Sequence, residues 1–108
     1  MKDSIKPDDI DPIIHERVRL AIVSALAVAP EMSFNDLKST LGLSDGNLSA
    51  HATSLQKAGY IEIAKTFKGR RPYTAMRLTA AGQEAFRRYV ETLRQIIEKG
   101  AQAMDEPK

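Results

Sequence analysis

Residues 33–63 read "SFNDLKSTLGLSDGNLSAHATSLQKAGYIEI", and the punctuation of this stretch decides the fold. Ser33 stands just before an apolar helical pattern and has Asp36 three residues on, the spacing of a capping box with aspartate in the place of glutamate. Phe34, Leu37 and Leu41 share one helical face, and Gly42 supplies the stop. After a turn at Gly42 and Leu43, Ser44 caps a further helix over 44–58, with Asp45 favourable in its first turn and Gly59 at its end. Two short helices joined by a tight glycine turn make a helix-turn-helix.

Working outward toward the C-terminus, "YIEIAKT" (60–66) alternates with Ile61 and Ile63 on one face, and "YTAMRL" (73–78) alternates through Thr74, Met76 and Leu78. "FKGRRP" (67–72) joins these two strands, so a β-hairpin follows the helix-turn-helix. That order of elements predicts a mainly α (α+β) domain, a winged helix-turn-helix with a two-stranded wing. Thr79 caps a last long helix, whose apolar positions Phe86, Val90, Leu93, Ile97, Gly100 and Met104 are spaced as the seam of a coiled coil, with Ile96 beside them. A helix of about 24 residues is some 36 Å long, more than a domain this small can cover. Its distal half therefore calls for a second copy, and a homodimer through Phe86, Val90, Leu93, Ile96, Ile97 and Met104 is the expectation.

Toward the N-terminus, Asp11 and Pro12 form a helix-start signal, since aspartate accepts from orphan N–H groups and proline loses nothing at the first helical position. The expected helix runs to about Ala29, where Pro30 stops it. Ile14, Val18, Ala21, Ile22, Ala25 and Ala29 make one apolar stripe, and Ile13, Leu20, Val23 and Ala27 a second, which implies two packing partners. Residues 1–10 read as a flexible arm, 11–104 as the domain and 105–108 as a frayed tail.

Composition narrows the function. A chain of 108 residues has room for one modest core. It contains no cysteine and only two histidines, His15 and His51, so disulfides, thiolate sites and histidine clusters are out, and no metal or cofactor is expected. No apolar run approaches the roughly 20 residues of a membrane span, and the start "MKDSIKPDDI" lacks the order of a signal peptide, which predicts a soluble, cytoplasmic protein. No nucleophile and base pairing, phosphate loop or carboxylate cluster outside arm and tail points to an enzyme. Residues 1–43 hold 5 basic and 7 acidic side chains, residues 44–78 hold 6 and 2, and residues 79–108 hold 5 and 5. Positive charge gathers in the middle third, as on a nucleic-acid-binding surface.

Within that third, Leu48, Ala52 and Leu55 form the core side of the helix over 44–58, leaving Gly46, Asn47, Ser49, Ala50, Thr53, Ser54 and Lys57 outside, with Ser44 at the start. All but Lys57 are small, where a solvated face would carry more Glu and Lys. Short polar side chains let a backbone approach base edges and phosphates closely. Asn47 and Ser49, near the N-terminus, are the first choice for base contact and Thr53 the next, while Lys57 suits a phosphate. In "KTFKGRRPYT" (65–74) Gly69 permits the turn, Pro72 stiffens the return, and Lys65, Lys68, Arg70 and Arg71 make a basic tip fit for a minor groove. His51, at the edge of the core face, and His15 are read as structural.

With these pieces in place, the chain resembles the winged-helix transcriptional regulators of the MarR and ArsR type. The matching residues are "VRLAIVSALA", the stretch over 33–63, "GRRPYT" at the wing and "RLTAAGQEAF" opening the last helix, about 75 of 108 residues. The resemblance implies a homodimer that places two third helices in successive major grooves of double-stranded DNA, with wings over the flanking minor grooves. Metal sensing is not implied, because the cysteine or histidine clusters of ArsR-type sensors are missing, and no small-molecule effector is named by the sequence. The expected function is a DNA-binding regulator acting as a repressor by occlusion. The alternative is a winged helix used as a protein-interaction or assembly module, with the basic wing against an acidic partner.

Overall fold

Asp11 caps a turn, but a short one. In the computed structural model, which describes residues 4–105, Asp11 Oδ1 accepts from the N–H groups of Ile13 (2.8 Å) and Ile14 (3.3 Å), and the turn ends at once. Glu16 is extended, and its carboxylate caps a new start by accepting from the N–H groups of Val18 (3.0 Å) and Arg19 (2.8 Å). The first long helix, α1, therefore spans Arg17–Val28 rather than starting at Asp11. The aspartate-proline signal is real and local; the second cap overrides its continuation. A single 3-10 turn, Pro7–Asp9, lies in the segment expected as an arm, and Ile10 packs against the domain. Of the expected tail, residues 106–108 lie outside the described residues.

After α1 come β1 (Met32–Ser33), α2 (Phe34–Leu41), α3 (Asp45–Lys57), β2 (Ile61–Lys68), β3 (Arg71–Leu78) and α4 (Ala80–Asp105). Ser33 Oγ accepts from Asp36 N–H (3.0 Å) and Ser44 Oγ from Asn47 N–H (3.1 Å), so both serines cap as their sequence positions predict. Gly42 takes a left-handed φ of 67°, where its N–H closes onto the last turn of α2. The sheet is antiparallel in the order β1-β3-β2, with Met32 opposite Met76 and Ile61 opposite Leu78. The lead-in to α2 thus becomes a third, two-residue strand.

The main core joins Ile22, Val23 and Leu26 of α1, Leu37 of α2, Leu48, Ala52 and Leu55 of α3, and Ile61, Met76 and Leu78 of the sheet. Full burial of one such leucine or isoleucine contributes about 1.5–3 kcal/mol. Leu26 belongs to neither apolar stripe read from the sequence, yet it is buried. A second cluster of Ile14, Ala85 and Tyr89, joined by Ile10, Leu20, Tyr60, Phe86 and Leu93, fixes the base of α4. Around it, Asp11 Oδ2 accepts from the Tyr60 hydroxyl at 2.6 Å, which with burial pushes the phenol up to about 12, and His15 Nδ1 meets the Tyr89 hydroxyl at 2.8 Å.

The joint between β2, β3 and α4 is tight. Thr79 N–H donates to Tyr60 O (3.0 Å), Thr79 Oγ1 donates to Gly59 O (2.6 Å) and accepts from Gly82 N–H (2.9 Å). A Cβ on Gly82 would stand 2.1 Å from the Tyr60 carbonyl oxygen, so only glycine fits there. From this joint α4 runs on for 26 residues, and the molecule measures 65 × 25 × 22 Å.

Candidate nucleic-acid interface

The capping of α3 by Ser44 turns Leu48, Ala52 and Leu55 inward, and helical geometry then leaves the opposite face to solvent. Ser44, Gly46, Asn47, Ser49, Ala50, Thr53 and Lys57 are all exposed, while Ser54 is half-buried and its hydroxyl donates to Ala50 O at 3.3 Å. The one acid of this face, Asp45, is paired with Lys38 Nζ of α2 at 2.6 Å. What remains is a helix surface of small, mostly uncharged groups. Gly46 has a helical φ and open space around its Cβ direction, so the protein's own packing gives no reason for glycine there. In a helix that choice costs about 0.5–1 kcal/mol relative to alanine.

The hairpin is longer than its sequence suggests. Strands extend through the charged stretch to Lys68 and from Arg71, pairing Phe67 with Pro72 and Lys68 with Arg71, so that only Gly69 and Arg70 form the loop. Gly69 has a φ of 64° and Arg70 does not share the positive sign, as a two-residue type II′ hairpin turn requires. Pro72, read as the stiffener of a loop, is a strand residue. Alternation then divides the wing. Lys65, Phe67, Pro72 and Thr74 lie on the face that also carries Ile63 and Met76, toward α3; Thr66, Lys68, Arg71 and Tyr73 lie on the other. Lys68 Nζ sits 4.2 Å above the Tyr73 ring, held there by cation–π attraction.

Between α3 and the wing is an open groove of about 640 Å³, lined by Ser49, Thr53 and Gln56 from α3 and by Ile63, Lys65 and Thr74 from the hairpin, among others. The structure brings Ser49, Thr53 and Lys65 together here, whereas Arg70 sits in the turn and Lys68 and Arg71 face away from α3. Gln56 and Thr74 line this groove, Phe67 is next along the same face of the wing, and all three were missed from sequence. Gln56 lies one helical turn beyond Thr53, a signal that could have found it; Phe67 was concealed by its assignment to a loop. Arg77 is withdrawn from the basic surface, since Glu62 holds it at 2.8 Å and this hydrogen bond pushes its pKa up.

The histidines sit in structural contacts. His51 Nδ1 is 3.2 Å from Arg19 Nη1 and 3.5 Å from Glu16 Oε1, at the seam of α3 with α1. Glu16 itself is pulled below its ordinary value of 4.5, first by the Arg19 backbone N–H, against the opposing effect of burial, with His51 and Arg19 charges adding to the pull.

On α4, Gly82, Ala85 and Tyr89 face the domain, and Phe86, Val90 and Leu93 are half-buried. Beyond them Ile96, Ile97 (64 % exposed) and Met104 (84 % exposed) stand in solvent. Leu20, Phe86, Tyr89, Val90, Leu93 and Ile97 border an apolar groove of about 420 Å³ between α1 and α4. No helix among the described residues is long and apolar enough to cross a membrane.

Comparison with known proteins agrees with this geometry. An uncharacterized protein of Methanocaldococcus jannaschii is 33% identical over 84 residues, covering 78% of this chain and 91% of the relative. The solved structure of a transcriptional regulator homologue from Pyrococcus horikoshii OT3 superposes with a TM-score of 0.77 at 28% identity, covering 87% of this chain and 89% of that one. YusO from Bacillus subtilis shares the fold, with a TM-score of 0.69 at 14% identity over 90% of this chain and 64% of its own. A family profile described as a winged helix DNA-binding domain matches residues 18–97, and the chain belongs to that family, one of DNA-binding regulators and not of enzymes.

Proposed function

We propose that the protein is a homodimeric, sequence-specific transcriptional repressor that lays α3 in the major groove and the tip of the β2–β3 wing at the flanking minor groove. The observation that carries the reading is the outer face of α3, from Ser44 to Lys57, exposed yet almost free of unpaired charge. Gly46, for which the fold has no use, suits a backbone that approaches a partner closely. Asn47 and Ser49 meet base edges, Asn47 with the amide that pairs bidentately with adenine, and Thr53 follows one turn on. Ser44, Ala50, Ser54 and Lys57 flank them, and Lys65, Lys68, Gly69, Arg70 and Arg71 supply the wing contacts.

The dimer rests on α4. Its 26 residues give a rod of about 39 Å, and Ile97 and Met104 continue the apolar seam of Val90 and Leu93 beyond the point where the domain's own packing ends. A second copy of the same helix covers them. Two α3 helices in one symmetric assembly then occlude a two-part operator, which is repression by competition for the site.

The test is fluorescence anisotropy with a duplex from upstream of the protein's own gene and a scrambled control, titrated across salt. Tighter binding to the upstream duplex, with log K falling steeply against log salt, supports the reading. Absence of binding at low salt would reject it and turn attention to a protein partner for the basic wing.

A further inference from the structure

Phe67 is 68 % exposed and belongs to neither hydrophobic cluster. Single exposed aromatics are ordinary on protein surfaces, and this one is set apart by its surroundings. It stands directly opposite Pro72, next to the last pair of a hairpin closed by a two-residue loop. In such a hairpin the pair beside the loop, Lys68 with Arg71, is the hydrogen-bonded one, and the next is not. Pro72 therefore forfeits no bond to β2, and the two rings are brought close at a position where the Cα atoms of a pair are only about 4.5 Å apart. The left-handed turn at Gly69 keeps this apolar ridge on a short, stiff support.

Around the ridge the charge has one sign. Lys65, Lys68, Arg70 and Arg71 lie within four residues of Phe67 in sequence, and no Asp or Glu occurs between Glu62 and Glu84. A protein-binding ridge is usually rimmed by mixed polar groups; an apolar edge rimmed only by cations matches a duplex, with its phosphates on the outside and its sugars and base edges within. Phe67 also faces the side of the wing that borders the groove against α3.

We infer that Phe67, backed by Pro72, is an apolar wedge that enters the minor groove and partly unstacks a base step, while Arg70 and Arg71 grip the phosphates on either side. This rests on the DNA-binding reading above and adds a source of specificity to it. The wedge favours a flexible pyrimidine–purine step under the wing, where unstacking is easiest, with no hydrogen bond to a base.

The experiment starts by recovering the tightest duplex from a randomised pool with the intact protein. Its ends are labelled for energy transfer, and 2-aminopurine replaces a purine at the step beneath the wing. The intact protein bends the duplex by roughly 20–90° and raises the 2-aminopurine fluorescence. Phe67→Ala, which removes no core contact, loses both signals and binds roughly tenfold more weakly, the scale of one aromatic–base contact. Phe67→Leu keeps a wedge and retains the bend. Equal affinity and an equally straight duplex for the intact protein and for Phe67→Ala would overturn the wedge and leave the DNA-binding reading standing. A pool that yields no preferred duplex would remove both. Binding to anionic lipid vesicles that Phe67→Ala abolishes, without any bend in DNA, would overturn the wedge in favour of a lipid surface.

Discussion

Gly82→Ala should unfold the joint at the base of α4. The new Cβ would lie 2.1 Å from Tyr60 O and 2.9 Å from its carbonyl carbon, far inside ordinary contact distance, and both obstacles are backbone. Relief requires α4 to slide away from the end of β2's lead-in, stretching the bonds from Thr79 to Tyr60 O and Gly59 O. Overpacking of this kind costs about 1–3 kcal/mol. Each of the two hydrogen bonds adds about 1 kcal/mol if it is lost. Against these stands the helix preference for alanine, about 1 kcal/mol. The net is a destabilisation of about 2 kcal/mol or more, which lowers Tm by roughly 8–16 °C for a domain of this size. Urea and thermal unfolding are followed by circular dichroism at one protein concentration, because the apparent stability of the proposed dimer would depend on it. Gly46→Ala is the internal comparison: its Cβ meets nothing, so stability should hold or rise by up to about 1 kcal/mol while affinity for DNA drops. A Gly82→Ala protein as stable as the original would refute the close approach itself.

Replacing Arg70 and Arg71 together with alanine should weaken binding to every duplex and flatten the slope of log K against log salt by roughly 2, measured by anisotropy; an unchanged slope would take the wing away from the phosphates. Asn47→Ala should cost about 1–3 kcal/mol on the preferred duplex and little on random DNA, and equal losses on both would make Asn47 a backbone contact. Ile97→Asp should yield monomers by light scattering; Ile97 is a cleaner choice than Leu93, which already packs against the second cluster. A variant that stays dimeric points to another interface. Glu16→Gln tests the cap of α1. The folded carboxyl is depressed below 4.5, so its stabilisation is present above that pH and fades as pH falls through the lower folded value. The gap in stability between the two proteins should therefore close in acid, and a gap independent of pH would mean the Glu16 charge contributes nothing.

Much of this architecture is legible in the sequence because it is written in local chemistry. Ser33, Gly42 and Ser44 set their helix ends through bonds that span three or four residues, and the apolar spacing of Leu48, Ala52 and Leu55 needs nothing beyond helical geometry. The wing strands were harder to read beyond Thr66. There the hairpin leaves the core, both faces meet water, and the alternation that marks a half-buried strand disappears. The false start of α1 at Asp11 shows a cap signal that was correct while the length assigned to its helix was not. Gly82 carried no sequence signal at all, since the carbonyl that excludes a side chain belongs to Tyr60, far away along the chain. Among the proposed contacts, Lys65 was recognisable by charge, but its placement across from Thr53 depends on the register of Lys65 with Thr74.

The hydroxyl of Thr79 ties the last carbonyl after α3 to the first turn of α4, and Gly82 rests directly on the same loop. Such a hinge without slack works as a fulcrum. With a long arm of about 39 Å, a tilt of about 10° at the base carries the far end of α4 through about 7 Å. Seen from the other end, a sway of about 7 Å at the tip turns the domain that carries α3 through the same angle of about 10°, because the joint does not yield. The joint passes orientation on rather than absorbing it, so the pitch of α4 and the aim of α3 are set together.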